Sequence, residues 1–159
     1  MASTLKETVN IYSMNCQGLR NNDKRKDVIN YLKLYSVDIL CLQDTHLKTS
    51  EVNLLKDLWE GKVILHGINT NSRGVAILFK ETFQCDILHT LQDEDGNMLT
   101  LQIKHASKNI LLINAYGPNT DNPMFFESIK KHIDAIDHDH FILCGDLNVS
   151  LNYQKDTCN

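Results

Sequence analysis

The sequence predicts one α/β domain, and three observations support this prediction. A strand, a helix and a second strand follow one another at the start, closely spaced strands with polar turns fill the middle, and a helix and a strand come last. The chain has 159 residues, of which 42% are hydrophobic and 23% charged, which suits a soluble domain with a real core. No repeats, linkers or low-complexity tracts occur, so we expect a single domain over residues 1–159.

The first part of the chain predicts a βαβ unit. Residues 8–15 alternate in the manner of a strand. A helical stripe of apolar residues then continues to about residue 35, and Asp23 is the candidate N-cap of this helix. The apolar run at residues 39–42 predicts a second, buried strand.

The middle of the chain predicts a short Leu-rich helix at residues 54–59 and then an antiparallel meander of strands joined by polar turns. Residues 62–65 predict a short strand before a loop of turn-forming residues, and the runs that predict the meander are residues 75–79, 83–88, 98–103 and 110–114. Pro123 fits the first turn of a helix that extends to about residue 136. Residues 141–144 then predict a strand buried on both faces, followed by Gly145, which permits a turn or a close backbone approach.

Polar side chains follow several of these strands. Asp146 and Asn148 come after the last strand, Asp44 follows the second, and Asn15 and Tyr116 end two others. The pair after the last strand also fits an Asx turn that only closes the strand. If the strands lie in one layer with their carboxyl ends together, the five side chains converge on one rim. Such oxygen ligands suit Mg²⁺, and a phenol or amide can stabilise developing charge, so the rim suits hydrolysis of a phosphodiester or phosphomonoester.

Charge and cysteine content narrow the classes of partner. The net charge of −4 argues mildly against nucleic-acid binding by bulk charge, but a bound divalent cation would reverse the local sign. No run is long enough to span a membrane and no signal-peptide core occurs, so we expect an intracellular protein without a membrane partner. Five scattered cysteines predict reduced thiols and neither disulfides nor zinc. Four clustered basic residues fit either a solvated helix start or a phosphate-binding patch: Arg20, Lys24, Arg25 and Lys26.

Five motifs, in order, resemble those of the endonuclease/exonuclease/phosphatase superfamily. They are Ser-Met-Asn-Cys-Gln-Gly-Leu at 13–19, Cys-Leu-Gln-Asp-Thr-His at 41–46, Arg-Gly-Val-Ala-Ile-Leu-Phe at 73–79, Asn-Ala-Tyr-Gly-Pro-Asn at 114–119 and Gly-Asp-Leu-Asn at 145–148. More narrowly, the chain from about Val9 onward resembles the apurinic-endonuclease-like domain of non-LTR (LINE-type) retrotransposon polyproteins. The resemblance implies an α/β (α+β) four-layer sandwich of two mixed β-sheets flanked by helices. It also implies Mg²⁺-dependent cleavage of DNA, with Mn²⁺ as an alternative ion, by a nuclear protein beside a reverse-transcriptase segment of the same polyprotein.

The resemblance also implies a role for each rim residue. Asp44 would be the main metal carboxylate, and Asn15 would help to hold the metal or its water. Tyr116 would contact the scissile phosphate. Asp146 would orient or deprotonate the attacking water, and Asn148 would bind a phosphate oxygen.

Two further side chains are candidates on their position alone. Arg73 directly precedes Gly74 in the third motif, and we expect it to contact the nucleic-acid backbone. His46 lies two residues after Asp44 and could support the metal carboxylate from behind, although a surface position fits it equally well.

Two departures from the family pattern affect the expected activity. The family usually has Glu at the position of Asp44, whose oxygens fall about 1.5 Å short, the length of one carbon–carbon bond, so we expect weaker metal binding. The family also continues to a late Asp-His pair that nothing after Asn148 supplies. We therefore expect a domain incomplete at its C-terminus, with an apolar sheet face and a strand edge exposed. The alternatives are a catalytically inactive remnant, or a phosphodiesterase of this fold for a non-nucleic-acid ester such as a phosphoinositide or sphingomyelin.

Overall fold

Two four-stranded sheets form the framework, as a computed structural model shows for residues 8–68 and 72–149. The first sheet has the order β1-β2-β4-β3 and consists of β1 (Ile11–Asn15), β2 (Ile39–Gln43), β3 (Gly61–His66) and β4 (Val75–Lys80). The second has the order β5-β6-β7-β8 and consists of β5 (Asp86–Gln92), β6 (Met98–His105), β7 (Lys108–Tyr116) and β8 (His140–Asp146). Both sheets are mixed, which confirms the predicted α/β sandwich.

Each sheet contains one parallel strand pair and two antiparallel pairs. β1 pairs in parallel with β2, and β7 pairs in parallel with β8, while the other neighbours are antiparallel. The predicted meander is confirmed for β5, β6 and β7. It is wrong for residues 75–79, because β4 lies in the first sheet between β2 and β3. Residues 75–79 are all buried, which fits a central strand covered on both faces.

Helices cover the outer face of each sheet. α1 (Asn22–Lys33) and the short α2 (Asn53–Lys56) pack on the first sheet, and α3 (Pro123–Ala135) packs on the second. Asn21 caps α1 by accepting a hydrogen bond from the backbone N–H of Lys24 at 2.9 Å, so the expected cap at Asp23 is wrong. Pro123 occupies the first turn of α3, as predicted. Within the described residues, no helix has the length and apolar character that crossing a membrane requires.

The apolar side chains form three layers of core. One lies between α1 and the first sheet, one between the two sheets, and one between the second sheet and α3. The middle layer joins Ile39, Ile77 and Phe79 of the first sheet to Leu101 and Leu112 of the second. This layer fixes the separation of the two sheets and therefore of every side chain at their ends.

Strand β8 forms the edge of the second sheet, and the prediction that it is buried on both faces is wrong. Ile142 and Cys144 face the core between the sheets, whereas Phe141 is 52% exposed and Leu143 is 38% exposed. Among the described strands, β8 pairs only with β7. Within the part of the chain that the structure describes, the expected bare edge and apolar face are therefore both present at this strand.

Asp93 ties the β5–β6 hairpin to the first sheet. Its Oδ1 accepts hydrogen bonds from the backbone N–H groups of Asn97 and Met98, each at 2.9 Å, and lies 3.1 Å from Nε2 of His66 in β3. Burial alone would raise the pKa of Asp93. The hydrogen bonds from His66, Met98 and Asn97 outweigh burial, so the pKa lies below its usual value.

We expect Asp93→Ala to lower the free energy of unfolding by about 2 to 3 kcal/mol at pH 7, because three donors lose a charged acceptor. A depressed pKa stabilises the fold above the unfolded value of about 3.9, and this contribution is lost as the pH falls through the lower folded pKa. The difference between wild type and variant, measured by urea unfolding, should therefore shrink below about pH 4. Asp95→Ala, at an exposed position in the same turn, is the matched control. An Asp93→Ala effect no larger than this control would contradict the assignment.

Candidate functional site

The carboxyl ends of the two parallel strand pairs meet at one rim of the sandwich. The side-chain amide of Asn15, at the end of β1, donates a hydrogen bond of 2.8 Å to Oδ2 of Asp146, at the end of β8. This bond joins the two sheets. The expectation that the polar strand ends share one layer is therefore wrong, and the side chains converge because two layers end at the same rim.

Asp146 is held on both carboxylate oxygens. Oδ2 accepts from Asn15, and Oδ1 accepts from the backbone N–H of Asn148 at 3.1 Å. The second bond is the Asx turn that the sequence allowed, so the turn and the converging rim occur together. Gly145 is required just before it, since an added Cβ would lie 1.9 Å from the carbonyl oxygen of Ala115. The turn thus holds the carboxylate at a fixed place beside the first sheet.

Tyr116 presents a phenol to the same rim. The side-chain amide of Asn148 lies beside this phenol and donates to the carbonyl of Gly117 at 2.7 Å. Burial raises the pKa of Tyr116, and the nearby carboxylates of Asp44 and Asp146 raise it further. Tyr116 therefore keeps its proton through the neutral range and can donate a hydrogen bond to an anion.

Asp44 follows β2, and one of its carboxylate oxygens, Oδ1, contacts the two neighbouring loops. Its Oδ1 accepts from the backbone N–H of Arg73 at 3.1 Å and lies 3.0 Å from Nε2 of His46. The side chain of Asp44 is 13% exposed, and no donor among the described residues contacts its Oδ2. Gly18 makes room for the imidazole, because a Cβ there would lie 2.8 Å from Nδ1 of His46. His46 thus lies behind Asp44 and contacts its carboxylate.

The loops that carry the rim hold an unusual concentration of left-handed backbone. Seven described non-glycine residues have a positive φ, and two of them, Ala106 and Ser107, form the β6–β7 turn. The other five lie in the rim loops: Gln17, Asp44, His46, Arg73 and Asn148. Such backbone costs free energy and persists where surrounding contacts enforce it, which is typical of functional sites.

A buried pair of amides lies beneath the rim, and the sequence analysis missed it. Gln43 in β2 donates from Nε2 to Oδ1 of Asn114 in β7 at 2.7 Å, across the interface between the sheets. Asn114 in turn donates to the carbonyls of Leu42 and Ala76 at 3.0 and 2.9 Å. Both amides are almost fully buried. The available signal was an amide inside each of two otherwise apolar strands, because a buried amide requires partners.

The basic side chains near the rim differ in burial and in partners. Arg25 is 5% exposed and donates to the carbonyls of Leu19 and Arg20, so it braces the loop after β1 and neither sequence-based alternative describes it. Lys24 donates from Nζ to the carbonyl of Gln17. Arg73 is partly exposed beside the rim, 3.6 Å from Asp95. Such an exposed ion pair contributes little, so the guanidinium can exchange its partner for another anion.

The rim offers oxygen ligands. Within residues 8–68 and 72–149, no three His, Cys, Asp or Glu side chains come together as a metal cage. The available donors are the unoccupied Oδ2 of Asp44 and the amide oxygen of Asn15, which also accepts from the backbone of Gln17 at 3.0 Å. A small number of protein oxygens suits Mg²⁺, which usually keeps several of its waters. The donor set therefore fits a hard divalent cation better than zinc.

Several known proteins are similar to this chain in sequence. Residues 8–154 match the Endonuclease/Exonuclease/phosphatase family. The Transposon TX1 uncharacterized 149 kDa protein of Xenopus laevis is 30% identical over 91% of this chain and 11% of its own length. The exodeoxyribonuclease of Bacillus subtilis (strain 168) is 26% identical over 88% of this chain and 58% of its own length.

A solved structure shows the same architecture. The endonuclease domain of TRAS1, a telomere-specific non-LTR retrotransposon, superposes with a TM-score of 0.62 at 14% identity, over 90% of this chain and 60% of the other. The chain thus spans about three fifths of this domain and of the bacterial relative. The resemblance to this family and to retrotransposon proteins is confirmed. By sequence match over nearly its whole length and by fold, the chain belongs to the endonuclease/exonuclease/phosphatase family.

Proposed function

We propose that this chain hydrolyses phosphodiester bonds in DNA with a divalent cation, Mg²⁺ or Mn²⁺, as the endonuclease part of a retrotransposon polyprotein. The observation that carries the proposal is the hydrogen bond between Asn15 and Asp146. It brings the ends of two sheets into one site where Asp44 and Tyr116 also lie. Phosphoester hydrolysis needs an oriented water, a proton acceptor and donors for phosphate oxygens, and these side chains supply each of them.

Each residue has a role that follows from its contacts. Asn15 orients the carboxylate of Asp146. This carboxylate takes a proton from the attacking water while the water oxygen bonds to phosphorus. The bond between phosphorus and the ester oxygen breaks, and this oxygen leaves. The phenol of Tyr116 donates to a phosphate oxygen, and Asn148 positions this phenol through its side-chain amide. Because the backbone N–H of Asn148 donates to Oδ1 of Asp146 and its side chain lies beside Tyr116, Asn148 sets the distance between the phosphate donor and the proton acceptor.

The cation would be held by Asp44 and Asn15. When bound, the ion polarises a phosphoryl oxygen and neutralises part of the developing charge. His46 and the backbone of Arg73 fix one oxygen of Asp44, which directs the other toward the rim. The guanidinium of Arg73 contacts the nucleic-acid backbone and gives up Asp95 for a phosphate.

DNA is the proposed substrate because the relatives that match this chain are named for DNA processing or for transposons. Action on nuclear DNA follows from that assignment. The chain matches only 11% of the TX1 protein, which leaves room for a reverse-transcriptase segment in a polyprotein of that kind. A phosphodiesterase acting on a lipid phosphoester would use the same rim, and substrate comparison separates the two.

Plasmid nicking tests the proposal. The purified chain should convert supercoiled plasmid to the open circle in Mg²⁺ or Mn²⁺ and should lose this activity in a chelator. The Tyr116→Phe variant should nick more slowly with its fold intact, since only one hydroxyl is removed. Hydrolysis of a lipid phosphodiester without plasmid nicking would overturn the choice of DNA. No hydrolysis of either substrate at millimolar metal would favour the inactive-remnant alternative. Two features are consistent with that alternative, the exposed apolar residues of β8 and the shorter side chain of Asp44.

A further inference from the structure

A set of hydrogen bonds beneath the rim joins the second sheet to the first. The side chain of Asn114, in β7, contacts the first sheet at three points. It accepts from Nε2 of Gln43 at 2.7 Å and donates to the carbonyls of Leu42 and Ala76 at 3.0 and 2.9 Å. Gln43 also donates from Nε2 to Oγ of Ser13 in β1 at 3.1 Å. We call this set of contacts the amide tie.

The amide tie lies next to the rim residues on the same strands. Asn114 precedes Tyr116 by two residues in β7, so the two side chains leave the same face of the strand. Gln43 is the ladder partner of Asn15 in the first sheet. Tyr116 is the ladder partner of Asp146 in the second sheet. A shift of β7 against β2 would therefore move Tyr116 and Asp146 together, away from Asn15.

The direct contact at the rim joins two edge strands. Asn15 ends β1 and Asp146 ends β8, and among the described strands each of these two strands pairs on one side only. Their hydrogen bond is only partly buried, and a bond that water can replace contributes little net stability. The amide tie instead connects central strands, because β2 lies between β1 and β4, and β7 lies between β6 and β8. It is therefore better placed than the rim contact to hold the two sheets in position.

The core between the sheets is apolar below the amide tie. It includes Cys41 and Cys144, and the four described cysteines are free thiols, as predicted, while Cys158 lies outside the described residues. Apolar packing is non-directional, so it fixes the separation of the sheets more firmly than their lateral position. Hydrogen bonds require a defined distance and angle. The buried bonds of Asn114 thus limit sliding of one sheet over the other near the rim.

We propose that Asn114 is a positioning residue for phosphodiester hydrolysis, an inference that rests on the proposed function of the rim. Through the amide tie, it holds β7 against β2 and β4. Tyr116 and Asp146 of the second sheet then meet the rim residues of the first sheet at a fixed separation. Asn114 is fully buried, so it acts through these residues and does not touch the substrate or the cation.

The single-turnover rate of plasmid nicking, compared with DNA binding, tests the proposal. Asn114→Ala should lower the rate of the folded protein by about 10- to 100-fold, the usual effect of misplacing a reacting group by about 1 Å. Binding of uncleaved DNA, followed by fluorescence anisotropy, should change far less. A purely structural role would lower the folded fraction and leave the rate of the folded molecules unchanged.

Ile103→Ala is the matched control for lost stability. Ile103 is buried in the same interface between the sheets, and it pairs with Ile110, at the far end of β7 from Tyr116. Its truncation leaves a cavity and destabilises the fold without touching the amide tie. Measured at a temperature where it is folded, this variant should nick DNA as wild type does.

Gln43→Met provides a second test in case Asn114→Ala does not fold. Methionine has nearly the size of glutamine, so the core stays filled, but it cannot donate to Asn114 or to Ser13. The rate should fall in the same direction as in Asn114→Ala. The loss should be smaller, because Asn114 keeps its bonds to the two backbone carbonyls.

Nuclear Overhauser contacts report the same geometry without any need for activity. In wild type, the side-chain amide protons of Asn15 should show a contact to the β protons of Asp146, since the two side chains hydrogen-bond across the sheets. Asn114→Ala and Gln43→Met should weaken this contact. Ile103→Ala should keep it at the wild-type intensity.

Two results would overturn the proposal. One is an equal rate for folded Asn114→Ala and folded Ile103→Ala, which would limit the amide tie to a role in stability. The other is an unchanged contact between Asn15 and Asp146 in Asn114→Ala, or in Gln43→Met if the alanine variant does not fold. If wild type hydrolyses no DNA, the proposed function fails, and the Overhauser contact alone decides whether the amide tie sets the geometry of the rim.

Discussion

Asp146→Asn is expected to lower the rate of DNA nicking by roughly 10²- to 10⁴-fold, the usual contribution of a positioned proton acceptor. Asparagine has the same shape as aspartate and can keep one of its two hydrogen bonds, from Asn15 or from the backbone of Asn148. It cannot take a proton from water. The loss should therefore fall on the chemical step, measured as the single-turnover rate on plasmid at saturating metal.

Two measurements keep this expectation specific. Binding of uncleaved DNA, followed by fluorescence anisotropy, should change far less than the rate, because the phosphate donors remain. Asp57→Asn, at an exposed position after α2, is the matched control and should nick as wild type does. Equal losses of binding and rate at Asp146→Asn would mean that the carboxylate only holds the rim together.

Asn114→Ala is expected to lower the free energy of unfolding by about 3 to 5 kcal/mol, because it leaves several buried polar groups without partners. The carbonyls of Leu42 and Ala76 would lose their donor, and Nε2 of Gln43 would lose its acceptor across the sheets. Such a loss is a large share of the 5 to 15 kcal/mol that is typical of a folded domain. Urea unfolding measures it directly.

A double-mutant cycle measures the interaction free energy between the two amides separately from their other contacts. Gln43→Ala combined with Asn114→Ala should lower the free energy of unfolding by less than the sum of the single changes. Each single change leaves the other buried amide without its partner. Asn30→Ala, on the exposed face of α1, should change the stability by less than about 0.5 kcal/mol. A cost below about 1 kcal/mol for Asn114→Ala would show that water replaces the lost partners.

The elements that local patterns specify were predictable from the sequence. Alternating or continuous apolar runs located the eight described strands, although β5 begins three and ends four residues later than the predicted run at 83–88, and Pro123 marked the start of α3. Sheet membership was not predictable for residues 75–79, because the neighbours of a strand depend on tertiary packing and not on its own pattern. The burial of residues 141–144 was wrong for a similar reason, since an apolar run does not reveal whether a strand lies at an edge.

The rim residues were predictable as a set because each follows an apolar strand. Their convergence from two layers was not, since it requires both parallel pairs to end at the same side of the sandwich. The contact between His46 and Asp44 depends on left-handed backbone at both residues and on the space beside Gly18, which spacing alone does not specify. The roles of Asn15, Asp44 and the other rim residues remain predictions.

Binding of Mn²⁺, followed by electron paramagnetic resonance, tests whether one divalent cation is held at Asp44. Wild-type protein should bind one Mn²⁺ ion, Asp44→Ala should lose this ion, and Asp44→Glu should bind it more tightly because the longer side chain restores the reach that aspartate lacks. Asp95→Ala, in the acidic turn that contacts Arg73, should bind as wild type does. Unchanged binding in Asp44→Ala, or loss of the ion in Asp95→Ala, would contradict a metal-dependent nuclease centred on this rim.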